Sequence, residues 1–110
     1  MSQLLGLRQP PTAVSAHSDE VALGAIRTLR RAGLRIPEDV SVIGIDDHPL
    51  AELTDLTTVG QPVREQGLLA GRMVLGLVRG EEVERAVIMP TKLIVRGSTA
   101  PPSRGVRLGT

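Results

Sequence analysis

Among 110 residues there is no phenylalanine, tyrosine, tryptophan or cysteine. Without aromatic rings the core has to be assembled from Leu, Val, Ile, Ala and Met. A ligand also finds no ring in this chain to stack on, whereas a complete sugar or nucleobase site ordinarily supplies such faces. Either a ligand is held by other means, or the rings belong to another stretch of protein. The lack of cysteine excludes a disulfide framework and a thiolate zinc site, which suits a reducing cytoplasm. No signal-peptide core and no long apolar run are present, so neither secretion nor a membrane partner is expected. Charge of one sign is lacking too: 13 basic and 12 acidic side chains leave a net charge of +1. That balance is no electrostatic footprint for nucleic acid.

What is present describes a soluble globular chain, 41% hydrophobic and 23% charged. Its length suffices for one small domain that buries roughly 60–70% of its unfolded surface. Residues 3–9 read as the end of a helix or a loose lead, closed by Pro10 and Pro11, because proline cannot continue a helix. Residues 12–16 read as a short strand. Ser18 then offers an N-cap, Asp19 and Glu20 fall in the first turn, and Ala22, Ala25, Ile26 and Leu29 recur at helical spacing. Arg30 and Arg31 occupy the last turn and Gly33 lies just beyond, in agreement with the helix dipole and a left-handed cap.

Residues 40–45, VSVIGI, form an almost continuous apolar run of the kind found in a parallel strand covered on both faces. Strand, helix and strand make a βαβ unit. In open parallel sheets ligands bind beyond the carboxyl ends of the strands, and residues 16–19 and 46–49 both lie at that edge. Further on, residues 50–56 suit a short helix, 57–59 a short strand, and Pro62 the first position of another helix. That helix carries Val63, Gly67, Ala70, Met73, Val74 and Leu77 on one face and ends at Gly80. Residues 86–89 and 92–95 are strand candidates, and the Gly-, Pro- and Ser-rich residues 98–110 read as a mobile tail.

Three stretches together carry a family resemblance: PTAVSAHSDEVALGAIRTLRRAGLRIPEDVSVIGIDDHPLA, LTTVGQPVREQGLLAG and MPTKLIVRGSTAPP. In this order and spacing the chain resembles the C-terminal part of the effector-binding domain of lactose-repressor (LacI-type) transcriptional regulators, over residues 11–102. The resemblance implies an α/β, three-layer, parallel-sheet fold of the periplasmic-binding-protein type, present in part, with pieces of both lobes. Residues 1–58 are then a βαβ portion of the C-terminal lobe, and 59–61 an interlobe crossover. Residues 62–89 supply a helix and strand of the N-terminal lobe, 90–97 the return strand, and 98–110 the tail. Nothing matches the helix-turn-helix DNA reader, so the chain resembles a truncated regulator that meets DNA only through a reader it does not carry.

The resemblance also assigns site residues. Asp46 matches an aspartate that accepts hydrogen bonds from effector hydroxyls, which suits an ionised carboxylate; the plainer reading is a solvated loop residue or a helix cap. Asp47 supports the loop, and His48, before Pro49, reads as an exposed loop residue. Ser18 and Asp19 stand where many relatives carry Asn-Asp near the effector, though Ser18 serves equally as an N-cap. Gln61 matches a crossover residue beside the cleft and reads equally as a polar hinge lining. Catalysis is not expected. Asp46 and Asp47 are adjacent on an extended strand and point to opposite faces, and no activated nucleophile, P-loop or dinucleotide fingerprint is present. The expected partners are a small-molecule effector, a sugar or another polar metabolite, and a second copy or a full-length regulator; no cofactor is expected. The alternative is a dimerisation module that binds no effector, or a remnant without function.

Overall fold

The computed structural model describes residues 1–103. The chain divides into two compact units, Met1–Gly60 with the residues from Leu93 onward, and Gln61–Lys92.

In the first unit, after a short α1 (Ser2–Leu5), the chain runs β1 (Ala13–Ser15), α2 (Asp19–Arg31), β2 (Ser41–Asp46), α3 (Pro49–Leu53) and β3 (Thr57–Gly60). A last strand, β4 (Lys92–Ile94), completes a sheet of order β1-β2-β3-β4. The first three strands are parallel, with Val14 opposite Val42, Gly44 opposite Thr58 and Asp46 opposite Gly60. The apolar run of β2 takes the interior position, as its lack of alternation predicts.

Both ends of α2 are closed as its sequence requires. Ser18 Oγ accepts the Val21 N–H at 3.2 Å. At the other end Gly33 adopts φ 79°, Leu34 N donates to Leu29 O and Gly33 N to Arg30 O, each at 3.0 Å. This pair of bonds is a Schellman motif, and its left-handed residue is the reason for glycine there. The inner face of α2 joins Val40, Val42, Ala51 and Leu56 in one core that contains Ala22, Ile26 and Leu29. Before β2, Asp39 accepts from the backbone N–H and guanidinium of Arg35, and these bonds hold its carboxyl below the usual carboxylate range.

The segment after β4 departs from expectation. Ser98 is buried: its Oγ donates to Val42 O at 2.6 Å and accepts Thr57 N at 2.8 Å, while its carbonyl receives Val42 N at 2.9 Å. Ala100 N donates to Ser41 Oγ at 3.0 Å, and Ser103 Oγ to Asp39 O at 3.3 Å. Residues 98–103, read from composition as a tail, thus carry hydrogen bonds to β2, to β3 and to Asp39. β3 begins only opposite Ile43, which leaves the backbone N–H and C=O of Val42 unmatched on that side, and Ser98 satisfies both while Ala100 bonds the Ser41 hydroxyl. The remainder of the expected tail, residues 104–110, lies outside the described residues.

The second unit is built on α4 (Val63–Val78), with Pro62 one position before the helix rather than in its first turn. Gly80, at φ 73°, ends the chain's helical course, and Glu81 N returns to Gly76 O at 2.9 Å. Val83 packs close to Gly76. The expected apolar face stays largely uncovered, with Val63, Val74 and Leu77 exposed. Residues 86–89 form no strand, contrary to expectation, and Ile88 is 96% exposed. A strand exists only where a neighbour completes its hydrogen-bond ladder, and this unit contains no such neighbour among the described residues.

Leu29, fully buried between α2 and β2, tests this packing. Leu29→Ala is expected to destabilise the chain by about 2–5 kcal/mol, a large part of the stability of a domain this size. A chemical-denaturation midpoint unchanged from wild type would show that the α2 face is not the core.

Candidate functional site

Three parallel strands bring their carboxyl ends to one edge, and the polar residues gather there. β1 leads into Ser18 and Asp19 at the start of α2, β2 ends at Asp46, and β3 ends at Gly60 opposite it. The centre of this edge is the carboxylate of Asp19, 1% exposed. Its Oδ1 accepts the Thr58 hydroxyl at 2.6 Å and its Oδ2 accepts the backbone N–H of His48 at 2.7 Å. Thr58, also buried, accepts Asp47 N through the same hydroxyl oxygen at 3.3 Å. A buried carboxylate is tolerable only when it is hydrogen-bonded, and its place in the first turn of α2 adds the favourable end of the helix dipole.

These bonds hold a turn that the backbone does not favour. Asp46 has φ 116° and Asp47 φ 54°, both in the left-handed half of conformational space. Such residues cost about 1–3 kcal/mol each and persist where their surroundings fix them. Besides Thr58 and Asp19, Arg96 fixes the turn: Nη2 donates to Asp47 Oδ1 and Nη1 to Leu56 O, each at 3.0 Å. His48 then starts the next helix, its Nδ1 accepting Leu50 N at 3.0 Å with Pro49 at the first helical position.

Of the residues anticipated from sequence, Asp46 stands exposed at the strand end and Ser18 partly exposed at the head of α2. Asp19 is placed differently from expectation. Both its oxygens are committed inside the unit, so it shapes the edge rather than lining it. Gln61 follows Gly60 directly but opens the second unit. His48 proves to be a helix cap rather than a plain loop residue. Thr58, Arg96 and Ser98 were not anticipated at all. One signal was present: Gly44 interrupts the apolar run of β2, and a Cβ there would strike Asp19 Oδ1 and lie 3.2 Å from Leu56 Cδ2. Glycine is required at that position because the buried carboxylate approaches the strand so closely. Among the described residues no group of three or more His, Cys, Asp or Glu side chains is placed to hold a metal ion.

The profile of the periplasmic binding protein-like domain matches residues 1–99. The chain belongs to that family. Its relatives are LacI-type regulators of transcription. The HTH-type transcriptional repressor CytR of Escherichia coli is 47% identical over 102 residues, which are 90% of this chain and 30% of the repressor. A LacI family regulator from Bifidobacterium animalis superimposes with a TM-score of 0.86 at 34% identity, over 93% of this chain and 38% of that one. A LacI family regulator from Enterococcus faecium, solved with bound ribose, gives 0.81 at 36% identity, over 91% and 38%. The periplasmic-binding-protein-like chain thus spans about a third of the length of the proteins it matches. Its family and its α/β parallel-sheet architecture are those the sequence resemblance implied, and these relatives are transcription regulators rather than enzymes.

The Asp19 cluster makes a direct prediction. Thr58→Val keeps the shape and removes the hydroxyl, leaving Asp19 Oδ1 buried without its donor, and should cost about 1–3 kcal/mol. Gly44→Ala should be at least as damaging through its clash with the same carboxylate. Urea midpoints measured for both variants decide the matter, and values equal to wild type would remove Asp19 from the centre of the edge.

Proposed function

We propose that this chain contributes one side of an effector site in a LacI-type transcription regulator of the cytoplasm. Asp46 and Ser18 are the contacts to the effector. Asp19 acts behind them by fixing the loop. The observation that carries the reading is the exposed carboxylate of Asp46 on a turn held by three separate hydrogen bonds, at the sheet edge where open parallel sheets bind ligands. A carboxylate in such a setting accepts several hydroxyl donors without reorganising. A neutral sugar or similar polar metabolite fits this chemistry, and the ribose bound to the Enterococcus relative supports that class. In a whole regulator, effector binding biases the angle between lobes and so the presentation of paired DNA readers.

A second reading draws on a different surface. Leu53 is 81% exposed on α3, and a hollow of about 270 Å³ is lined by Leu23, Ile26, Thr54 and the three arginines Arg27, Arg30 and Arg31. An exposed leucine beside a hollow of mixed apolar and basic lining suits association with a second copy or with a full-length regulator, with or without effector.

Titration of the chain with D-ribose and a panel of neutral sugars and nucleosides, followed by thermal melting and light scattering, separates the two. Effector binding predicts a melting temperature raised by one ligand, with affinity reduced about tenfold or more in Asp46→Ala. A dimer that responds to no ligand would leave only the association reading.

A further inference from the structure

The imidazole of His48 stands between two partners, and only its neutral form with the hydrogen on Nε2 suits both. Nδ1 accepts the Leu50 N–H at 3.0 Å and closes the start of α3, while Nε2 lies 3.7 Å from Glu20 Oε1 in the first turn of α2. A ring nitrogen that accepts a hydrogen bond carries no proton, so the capping form is the neutral ring with its hydrogen on Nε2. A second proton can go only to Nδ1. Once there it sets a donor against the Leu50 N–H and the cap is lost, while the ring becomes a cation beside a carboxylate. The side chain is 40% exposed, so water and proton reach it.

The surroundings confine the change to this side chain and to α3. The His48 backbone N–H is anchored on Asp19 Oδ2 at 2.7 Å and does not depend on the ring. The charged side chains of the elements that meet at His48 are Asp19 and Glu20 on α2, Asp46 and Asp47 in the turn before it, Glu52 in the first turn of α3, and Arg96, which bonds Asp47; of these Glu20 faces the ring. Arg96 is committed to Asp47 at 3.0 Å, so a cationic ring meets carboxylates and no unengaged cation in this set. α3 has five residues and lacks any other side-chain cap at its start, which makes it sensitive to the loss of one bond.

We propose that His48 is a proton-operated switch: neutral, it caps α3 with its Nε2–H turned toward Glu20; protonated, it releases the Leu50 N–H and keeps Glu20 as the counter-charge. The release loosens α3 beside the edge that carries Ser18 and Asp46. The inference rests on the cap geometry and stands whether or not this edge binds an effector.

NMR of the full chain tests it. With His17→Gln in place, His48 is the single histidine, and its ring ¹⁵N shifts report tautomer and protonation directly. Hydrogen exchange of the Leu50 amide, corrected for intrinsic pH dependence, is expected to quicken about fivefold on protonation, the loss of one N-cap bond. The change should follow the ring's own titration and vanish in His48→Asn, whose amide oxygen caps at every pH. A neutral ring protonated on Nδ1, or a Leu50 amide indifferent to the ring's titration, overturns the switch. Should His48→Asn fail to fold, these two wild-type readouts decide alone.

Discussion

The carboxylate of Asp19 is the constraint on which the sheet edge depends. It belongs to α2, yet it binds a side chain of β3 and the backbone that follows β2, so three elements meet on two oxygen atoms. An unpaired charge at that depth would be intolerable. Its burial is acceptable because each oxygen has a donor and the helix N-terminus lies behind it. The same contact dictates its neighbours. β2 must present glycine where the carboxylate passes, and β3 must present a hydroxyl rather than a methyl. Specificity of arrangement is thus imposed by polar atoms in a core otherwise made of aliphatic side chains alone.

The turn of Asp46 and Asp47 inherits its shape from this contact. Two consecutive non-glycine residues with positive φ are held from below by Thr58, from behind by Asp19, and laterally by Arg96. Arg96 comes from a segment distant in sequence, after the excursion through α4. The pose of an exposed carboxylate is therefore set by residues that do not themselves face solvent at the edge, an arrangement suited to recognition because the geometry precedes the ligand.

Much of this was legible in the sequence, for identifiable reasons. The α2 boundaries follow from Ser18, the arginine-rich last turn and Gly33, all local signals, and the apolar run of β2 announces a covered parallel strand. Position at the carboxyl edge follows from strand order alone. Three things were not legible. Asp19 could not be told from a solvent-facing first-turn acid, because its burial depends on Gly44 and Thr58 across the sheet. Residues 86–89 have strand composition, but composition does not supply a pairing partner. The segment from Ser98 has the composition of a loose tail, and what it bonds to is the open backbone of Val42 and the hydroxyl of Ser41. Each miss concerns a partner remote in sequence, which no local pattern can display.

That last segment bears on how the chain comes to be folded. Ser98 bonds to Val42 across 56 positions of sequence and to Thr57 across 41. The second strand thus lacks part of its hydrogen bonding until Ser98 has been made. During synthesis, at roughly 5–20 residues per second, β1, α2 and β2 emerge seconds before the residues that complete them. A topology dominated by such distant pairings folds slowly for its size. Throughout that interval the margin of β2 that Ser98 later covers stands open, with the N–H and C=O of Val42 left to water.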